Sequence, residues 1–184
     1  GPDEGSTNSY HCPMVASYPE NIEANMDEIL RKYKVNLLHP FLPLHAPKQL
    51  LKQLKQVFAP MGISSSELES AIHAGEAAER EYKERLLAET KRVLAEIREK
   101  HEIGIVLAGR PYHVDPAVNH SVPDLSNQLG MAVLSEDGIA MVGGEYPNLR
   151  VMNQWTWHSR LYRAADYVTR HPHLELVELN SFGC

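Results

Sequence analysis

The sequence predicts an α/β fold, in which an open parallel sheet of the Rossmann or flavodoxin-like kind is flanked by helices. The first observation is the order of patterns in residues 101–184, where short apolar runs alternate with helical periodicity as strand, helix, strand, helix, strand. The second is an uninterrupted helical pattern from about residue 65 to residue 100, which predicts a long projecting helix in the N-terminal half. The composition, 43% hydrophobic and 23% charged, is typical of a globular chain.

The N-terminal part is predicted to be mainly helical from residue 10 to residue 100, after a disordered tail or added remnant at residues 1–9. Ser17 and Glu20 have the spacing of a capping box and predict a helix over Pro19–Tyr33 with one apolar face. Prolines interrupt the next stretch, so it is expected to be extended until a second helix at Pro47–Phe58.

A second capping box, Ser64 with Glu67, predicts the start of the long helix. At ~1.5 Å per residue this helix would be roughly 50 Å long, which is more than a small sheet needs as cover. We therefore expect part of it to extend away from the sheet.

The C-terminal part is predicted to carry three strands of one parallel sheet, joined by helices. Glycine and proline at the ends of the apolar runs mark the boundaries. The first helix of this part is expected to turn Leu125 and Leu129 inward. The predicted elements are strands Ile103–Leu107, Met131–Leu134 and Leu174–Leu179 and helices Pro123–Gly130 and Leu149–Arg170, with a loop at residues 143–148.

A polar loop follows the first of these strands and contains the candidate pocket residues Arg110, His113, Asp115, Asn119 and His120. Ligands of open α/β sheets lie at the carboxyl ends of the strands, so these side chains stand where a site is expected. Arg110 suits a phosphate or carboxylate. The histidines and the aspartate also suit a metal, in a spacing that matches no standard motif. A hydrogen-bonded structural loop would have the same composition.

Charge and composition exclude several functions. A net charge of −6 without a basic stripe argues against nucleic acid as a partner. No apolar run approaches the ~20 residues of a membrane-spanning helix, so we expect a cytoplasmic chain without membrane contact. Gly143-Gly144 lacks both phosphate-loop patterns, so no ATP site is expected, and no catalytic residue is predicted.

The two cysteines, Cys12 and Cys184, are too few for a disulfide framework. They also cannot complete the four thiolates of a standard [4Fe-4S] cluster. The chain ends at Cys184 directly after Phe182 and Gly183, and we expect it to be a piece excised from a larger protein.

Three groups of residues together resemble one known family. They are the Cys12-Pro13-Met14-Val15 and Tyr18-Pro19-Glu20 stretch, the run from Leu107 through Arg110-Pro111-Tyr112-His113 to Asn119-His120, and the ending Leu179–Cys184. The sequence resembles the C-terminal portion of the large CoA-substrate-specific enzyme activases of anaerobic bacteria, which are related to activators and iron-sulfur components of 2-hydroxyacyl-CoA dehydratases. Ser121 departs from the glycine expected after His120.

The resemblance implies α/β lobes around a [4Fe-4S] cluster, with Cys12 and Cys184 as candidate metal ligands in the full-length protein. It implies electron transfer to a 2-hydroxyacyl-CoA dehydratase-like partner, and contact with the remaining domains of a larger chain. By itself this fragment is expected to be catalytically inactive. Two other functions remain open: binding of a small anionic ligand near Arg110 without redox chemistry, and docking of a partner through the long helix.

Overall fold

The computed structural model describes residues 13–143 and 147–180. These residues form two compact units: the first ends at Arg80 and the second begins at Glu81. No helix in these described ranges is long and apolar enough to span a membrane.

The first unit is helical. It contains α1 (Pro13–Lys32), α2 (Pro47–Phe58) and the first half of α3 (Ser65–Lys100). The bounds of α2 and α3 agree with the predictions, and the capping box of α3 is present: the Ser64 backbone N–H donates to Glu67 Oε2 at 2.8 Å, and the Glu67 N–H donates to Ser64 Oγ at 3.3 Å. These two bonds satisfy amide groups that have no partner inside the helix.

The predicted start of α1 is wrong. The helix begins at Pro13 and runs through Pro19, so Ser17 and Glu20 do not cap it. Pro13 suits a first turn because its missing N–H would have no partner there. The predicted apolar face exists in sequence but none of the α1 residues is buried, and Ile29 and Tyr33 are 48% and 66% exposed.

The second unit is an α/β layer structure with a three-stranded parallel sheet. Its strands are β1 (Gly104–Ala108), β2 (Ala132–Ser135) and β3 (Leu174–Glu178), in the order β2-β1-β3. The fold class predicted from the alternation is therefore confirmed. Residues Gly104–Ala108 form β1, all of them buried, and Val106 pairs with Leu134 on one side and Leu176 on the other. A strand buried on both faces reads as a continuous apolar run, which is why β1 is visible in the sequence.

Three α-helices of this unit flank the sheet. They are α4 (Val122–Gln128), α5 (Glu136–Val142) and α6 (Thr156–Thr169). The core unites both layers with the C-terminal half of α3, and its buried members are Leu94, Ile97, Val106, Leu134, Ile139, Ala164, Tyr167 and Leu174.

Three helices of this unit depart from the predictions: α5 was not predicted, and α4 and α6 differ from what was expected. Leu125 and Leu129 point outward, with 57% and 67% exposure, while Ser126 is buried and its hydroxyl donates to the Val122 carbonyl at 2.9 Å. The orientation of so short a helix is set by its packing and not by its own apolar pattern. α6 begins at Thr156 and not at Leu149, because Val151 and Met152 stay exposed and gain no burial to offset the entropy of ordering.

Candidate functional site

A pocket of about 250 Å³ lies at the carboxyl ends of β1 and β2. This is the edge at which open parallel sheets bind ligands. Its walls come from the second unit alone. The lining residues are Tyr82, Leu107, Ala108, Gly109, Arg110, Pro111, His113, Val114, Glu136, Asp137, Trp157 and Arg160.

The turn after β1 is held by Gly109 and His113. Gly109 has φ +153°, and a Cβ there would lie 2.8 Å from the Leu179 carbonyl oxygen and would also collide with the His113 ring. The Arg110 backbone N–H donates to His113 Nδ1 at 2.9 Å. Since Nδ1 accepts this bond, the neutral His113 ring carries its proton on Nε2. Glycine at position 109 thus lets a buried histidine fold back against the strand end.

Arg110 presents a positive charge at this edge of the sheet. No carboxylate in the described part of the chain lies within ion-pair distance of its guanidinium, which is partly exposed in the pocket. Its charge is felt by His158 on α6: burial lowers the pKa of His158, Arg110 lowers it further, and Glu178 at the end of β3 opposes both. A guanidinium in this state can take up an oxyanion through two hydrogen bonds.

Buried Glu136 and half-buried Arg160 form an ion pair in the wall of the pocket. Arg160 Nη2 donates to Glu136 Oε1 at 2.6 Å, and the Arg160 guanidinium lies 4.3 Å from the centre of the Trp157 ring. The Glu136 side chain is only 9% exposed. Burial raises the pKa of Glu136 to about 7, the Asp137 charge adds to the rise, and Arg160 opposes it. The ring restrains the guanidinium by a cation–π contact, so the pair has a defined position.

Two buried atoms of this pair, Glu136 Oε2 and Arg160 Nε, have no hydrogen-bond partner among residues 13–143 and 147–180. Next to them, the Tyr82 hydroxyl donates to Asp137 Oδ2 at 3.4 Å. Burial raises the pKa of Tyr82, and the Asp137 charge raises it further. The residues that line the pocket therefore include a cation without an ion-pair partner in the described part of the chain, a buried carboxyl group and a neutral phenol.

The five predicted pocket residues divide into two groups. Arg110 and His113 line the pocket, whereas Asp115, Asn119 and His120 do not. Asp115 Oδ1 accepts the Ala117 N–H at 2.8 Å, and the buried Asn119 accepts the Ser121 N–H at 3.0 Å. His120 is exposed at φ +51°. These three side chains thus stand outside the pocket, and direct ligand contact by them stays a prediction.

Ser121 occupies a backbone conformation that favours glycine. Its φ is +60°, in the left-handed region, immediately after His120 with the same sign. Glycine reaches this region without steric cost, and a residue with a Cβ does not. Serine therefore stands at a position where the backbone conformation favours the glycine expected from the family resemblance.

Cys12 and Cys184 lie outside the described residues. Within the described ranges, no group of three or more histidine, cysteine, aspartate and glutamate side chains could hold a metal ion. These are the only two cysteines of the sequence, so the described residues offer no thiolate. The described residues by themselves therefore do not fit an iron-sulfur cluster.

Several pocket residues were not recognised in the sequence, chiefly Glu136, Asp137, Trp157 and Arg160. The signal for the first two was present, because they follow β2 directly, as Arg110 follows β1. Ser135 with two acidic residues after it also marks a helix start, that of the seven-residue α5. Arg160 gave no such signal, since it reaches the site from the first turns of α6.

Fold and pocket together define the class: an α/β domain with a small polar site at the carboxyl edge of a parallel sheet. The sequence matches the model of the CoA enzyme activase uncharacterised domain (DUF2229) over residues 2–139. The chain belongs to this family. Comparison with curated proteins and with solved structures gives no match. The matched stretch includes the loop from Arg110 to His120 and Glu136, while Arg160 lies beyond it.

Proposed function

We propose that this activase domain helps hold a [4Fe-4S] cluster in the full-length protein and passes electrons to a 2-hydroxyacyl-CoA dehydratase. The family match carries the proposal, since it covers Cys12 and the whole loop after β1. Cys12 and Cys184 are the proposed ligands, and the remaining ligands would come from other parts of the assembly. A cluster of this kind supplies one-electron chemistry, and its thiolate ligands set its position.

Anaerobic reconstitution of the full-length protein tests this function. Cys12→Ser and Cys184→Ser are each expected to lower bound iron and sulfide and to change the EPR signal of the reduced protein. His73→Ala is the control, because His73 is an exposed potential ligand on α3 with its side chain 80% accessible. Iron content and spectra that stay the same in both cysteine variants would refute the assignment.

A second function is favoured by the pocket, namely binding of a small anion at Arg110 without redox chemistry. The observation in its favour is the unpaired guanidinium in a pocket of about 250 Å³. This volume is far above the ~10–15 Å³ that one water requires and below the ~300–1,000 Å³ of pockets for drug-sized ligands, so the ligand is small.

Calorimetric titration of the chain with inorganic phosphate tests the second function. Arg110→Gln is expected to weaken binding at least about ten-fold, because a charge-assisted bidentate contact is lost. Arg80→Gln on the exposed face of α3 is the control and should leave the affinity unchanged. Absence of any heat that depends on Arg110 would end this proposal.

A further inference from the structure

Two hydrogen bonds between Arg110 and His113 close the turn after β1. The Arg110 backbone N–H donates to His113 Nδ1, and the His113 backbone N–H donates to the Arg110 carbonyl oxygen, both at 2.9 Å. The turn itself is a short 3₁₀-helix, Pro111–Val114. The first bond is one half of a capping box, in which the third residue of a helix accepts the N–H of the residue before the helix. The His113 side chain thus fixes the backbone of Arg110, which lines the pocket.

The His113 ring is closely packed in this position. His113 is only 7% exposed, and a Cβ on Gly109 would collide with Nδ1 and lie 3.2 Å from the ring carbon Cγ. The Tyr112 ring is also in edge contact with it, with 4.5 Å between the ring centres. Since a well-packed side chain does not turn freely, Nδ1 stays next to the Arg110 N–H.

The bond to Nδ1 exists only while His113 is neutral. A histidine that has taken up a second proton carries an N–H on both ring nitrogens and has no acceptor. Protonation at Nδ1 would set two donors, Nδ1–H and the Arg110 N–H, against each other at 2.9 Å. Histidine is also the side chain that usually changes its charge between pH 5 and pH 8. Protonation therefore breaks this bond and removes the acceptor from a part-buried backbone N–H.

We propose that His113 is a positioning residue of the anion site and makes that site sensitive to acid. Neutral His113 holds the Arg110 backbone in place for the ligand, and protonation of His113 releases the turn. His113 acts through the backbone of Arg110 and requires no contact with the ligand. This inference rests on the proposed anion-binding function and adds the regulation of the same site.

His113→Asn separates the hydrogen bond from the titration. Asparagine carries an amide oxygen as many bonds from the backbone as Nδ1 of histidine, so it offers an acceptor that does not titrate. His113→Leu fills a similar space without an acceptor. Both variants keep the other groups that can titrate or carry charge around the turn, so a comparison with wild type isolates His113. These groups are Tyr82 of α3, Arg110, Tyr112, Glu136 and Asp137 of α5, His158 and Arg160 of α6, and Glu178 of β3.

Sulfate is the probe, because it stays a dianion from pH 8 to pH 5 and its own charge does not change. In calorimetry on the full chain at pH 8, His113→Leu is expected to weaken sulfate binding at least about five-fold, and His113→Asn to restore most of this loss. The affinity of wild type relative to His113→Asn is then expected to fall at least about five-fold between pH 8 and pH 5.

A relative affinity that stays constant with pH would refute the release by acid. One that rises towards pH 5 would refute it as well, because protonated His113 would then attract the anion. In both cases a loss of binding in Arg110→Gln leaves the anion site standing. If Arg110→Gln has no effect at either pH, the anion-binding function fails and this inference fails with it.

Nitrogen-15 NMR of the wild-type His113 ring tests the bond without a variant that has to fold. At pH 8 the proton is expected on Nε2, with Nδ1 unprotonated. A proton on Nδ1 at this pH would overturn the proposal.

Discussion

The loop after β1 has two halves that look alike in sequence and act differently in the structure. The first half, with Arg110 and His113, lines the pocket. The second half, with Asp115, Asn119 and Ser121, uses its side chains on its own backbone or adopts a left-handed conformation. Polar residues after a strand can thus serve either a ligand or the stability of the turn. Only the structure shows which side chains line the pocket and which bond to the backbone of the loop.

The largest effect on stability is expected at Gly109, where the loop after β1 begins. Gly109→Ala would place a Cβ 2.8 Å from the Leu179 carbonyl oxygen. Neither atom can move away unless the backbone to which it is attached also moves. Denaturant titration should show a loss of stability on the order of 2–4 kcal/mol.

Gly75→Ala is the matched control for this change. Gly75 is in the helix α3, and a Cβ there would meet no described atom within 4 Å beyond its chain neighbours and the adjacent backbone of the helix. Alanine there should raise stability by about 0.5–1 kcal/mol. Equal effects of both substitutions would show that the strand end tolerates a side chain.

The stability of the protein is expected to depend on pH through Glu136, which lines the pocket. Its folded pKa of about 7 exceeds the ordinary value of 4.5, so the folded state binds the extra proton between these pH values. The stabilisation is complete below pH 4.5 and is lost as pH rises through 7, by up to about 3 kcal/mol.

Glu136→Gln should therefore remove this fall in unfolding free energy between pH 5 and pH 8. The groups that face Glu136 and remain in the variant are Arg160, Asp137 and Tyr82. Glu175→Gln, an exposed site on β3, serves as control and should keep the wild-type slope. An unchanged slope in Glu136→Gln would contradict the assignment.

The second half of the loop is expected to matter for stability and not for anion affinity. Asn119→Ala removes the acceptor of the Ser121 N–H from a side chain that is 4% exposed, which should cost about 1–3 kcal/mol. Phosphate affinity should stay at the wild-type value once the chain is folded. Exposed Asn127 is the control, and its change to alanine should alter stability by less than about 0.5 kcal/mol. A weaker phosphate affinity in Asn119→Ala would show that both halves of the loop contribute to one binding site.

The smallest effect is expected at Ser121. Glycine should raise stability by about 0.5–1 kcal/mol, because φ +60° strains a residue with a Cβ. Ser66→Gly makes the same chemical change inside the helix α3 and should lower stability by a few tenths of a kcal/mol, about the propensity difference. Thermal unfolding of the two variants gives the comparison, and a destabilised Ser121→Gly would show that the hydroxyl contributes more than the strain costs.

The predictions from sequence succeeded where a local signal and the tertiary environment agree. The Ser64–Glu67 capping box locates the start of α3 because its hydrogen bonds are made within one turn. The apolar run of β1 predicts a strand buried on both faces because a central parallel strand has no polar side. The failures came where burial overrides the pattern: Leu125 is exposed, and the apolar face of α1 is unburied.

By itself the sequence determined the α/β class, the long helix, the central strand and the family marker in the loop after it, because each depends on periodicity or neighbouring residues. Only the tertiary structure decided the site. Glu136 and Arg160 are far apart in the chain, and their pairing depends on β2 lying beside β1 and on α6 packing against α5. The unsatisfied Glu136 Oε2 is a property of that packing, since the hydrogen bonds of a buried carboxylate depend on which groups the fold brings within reach.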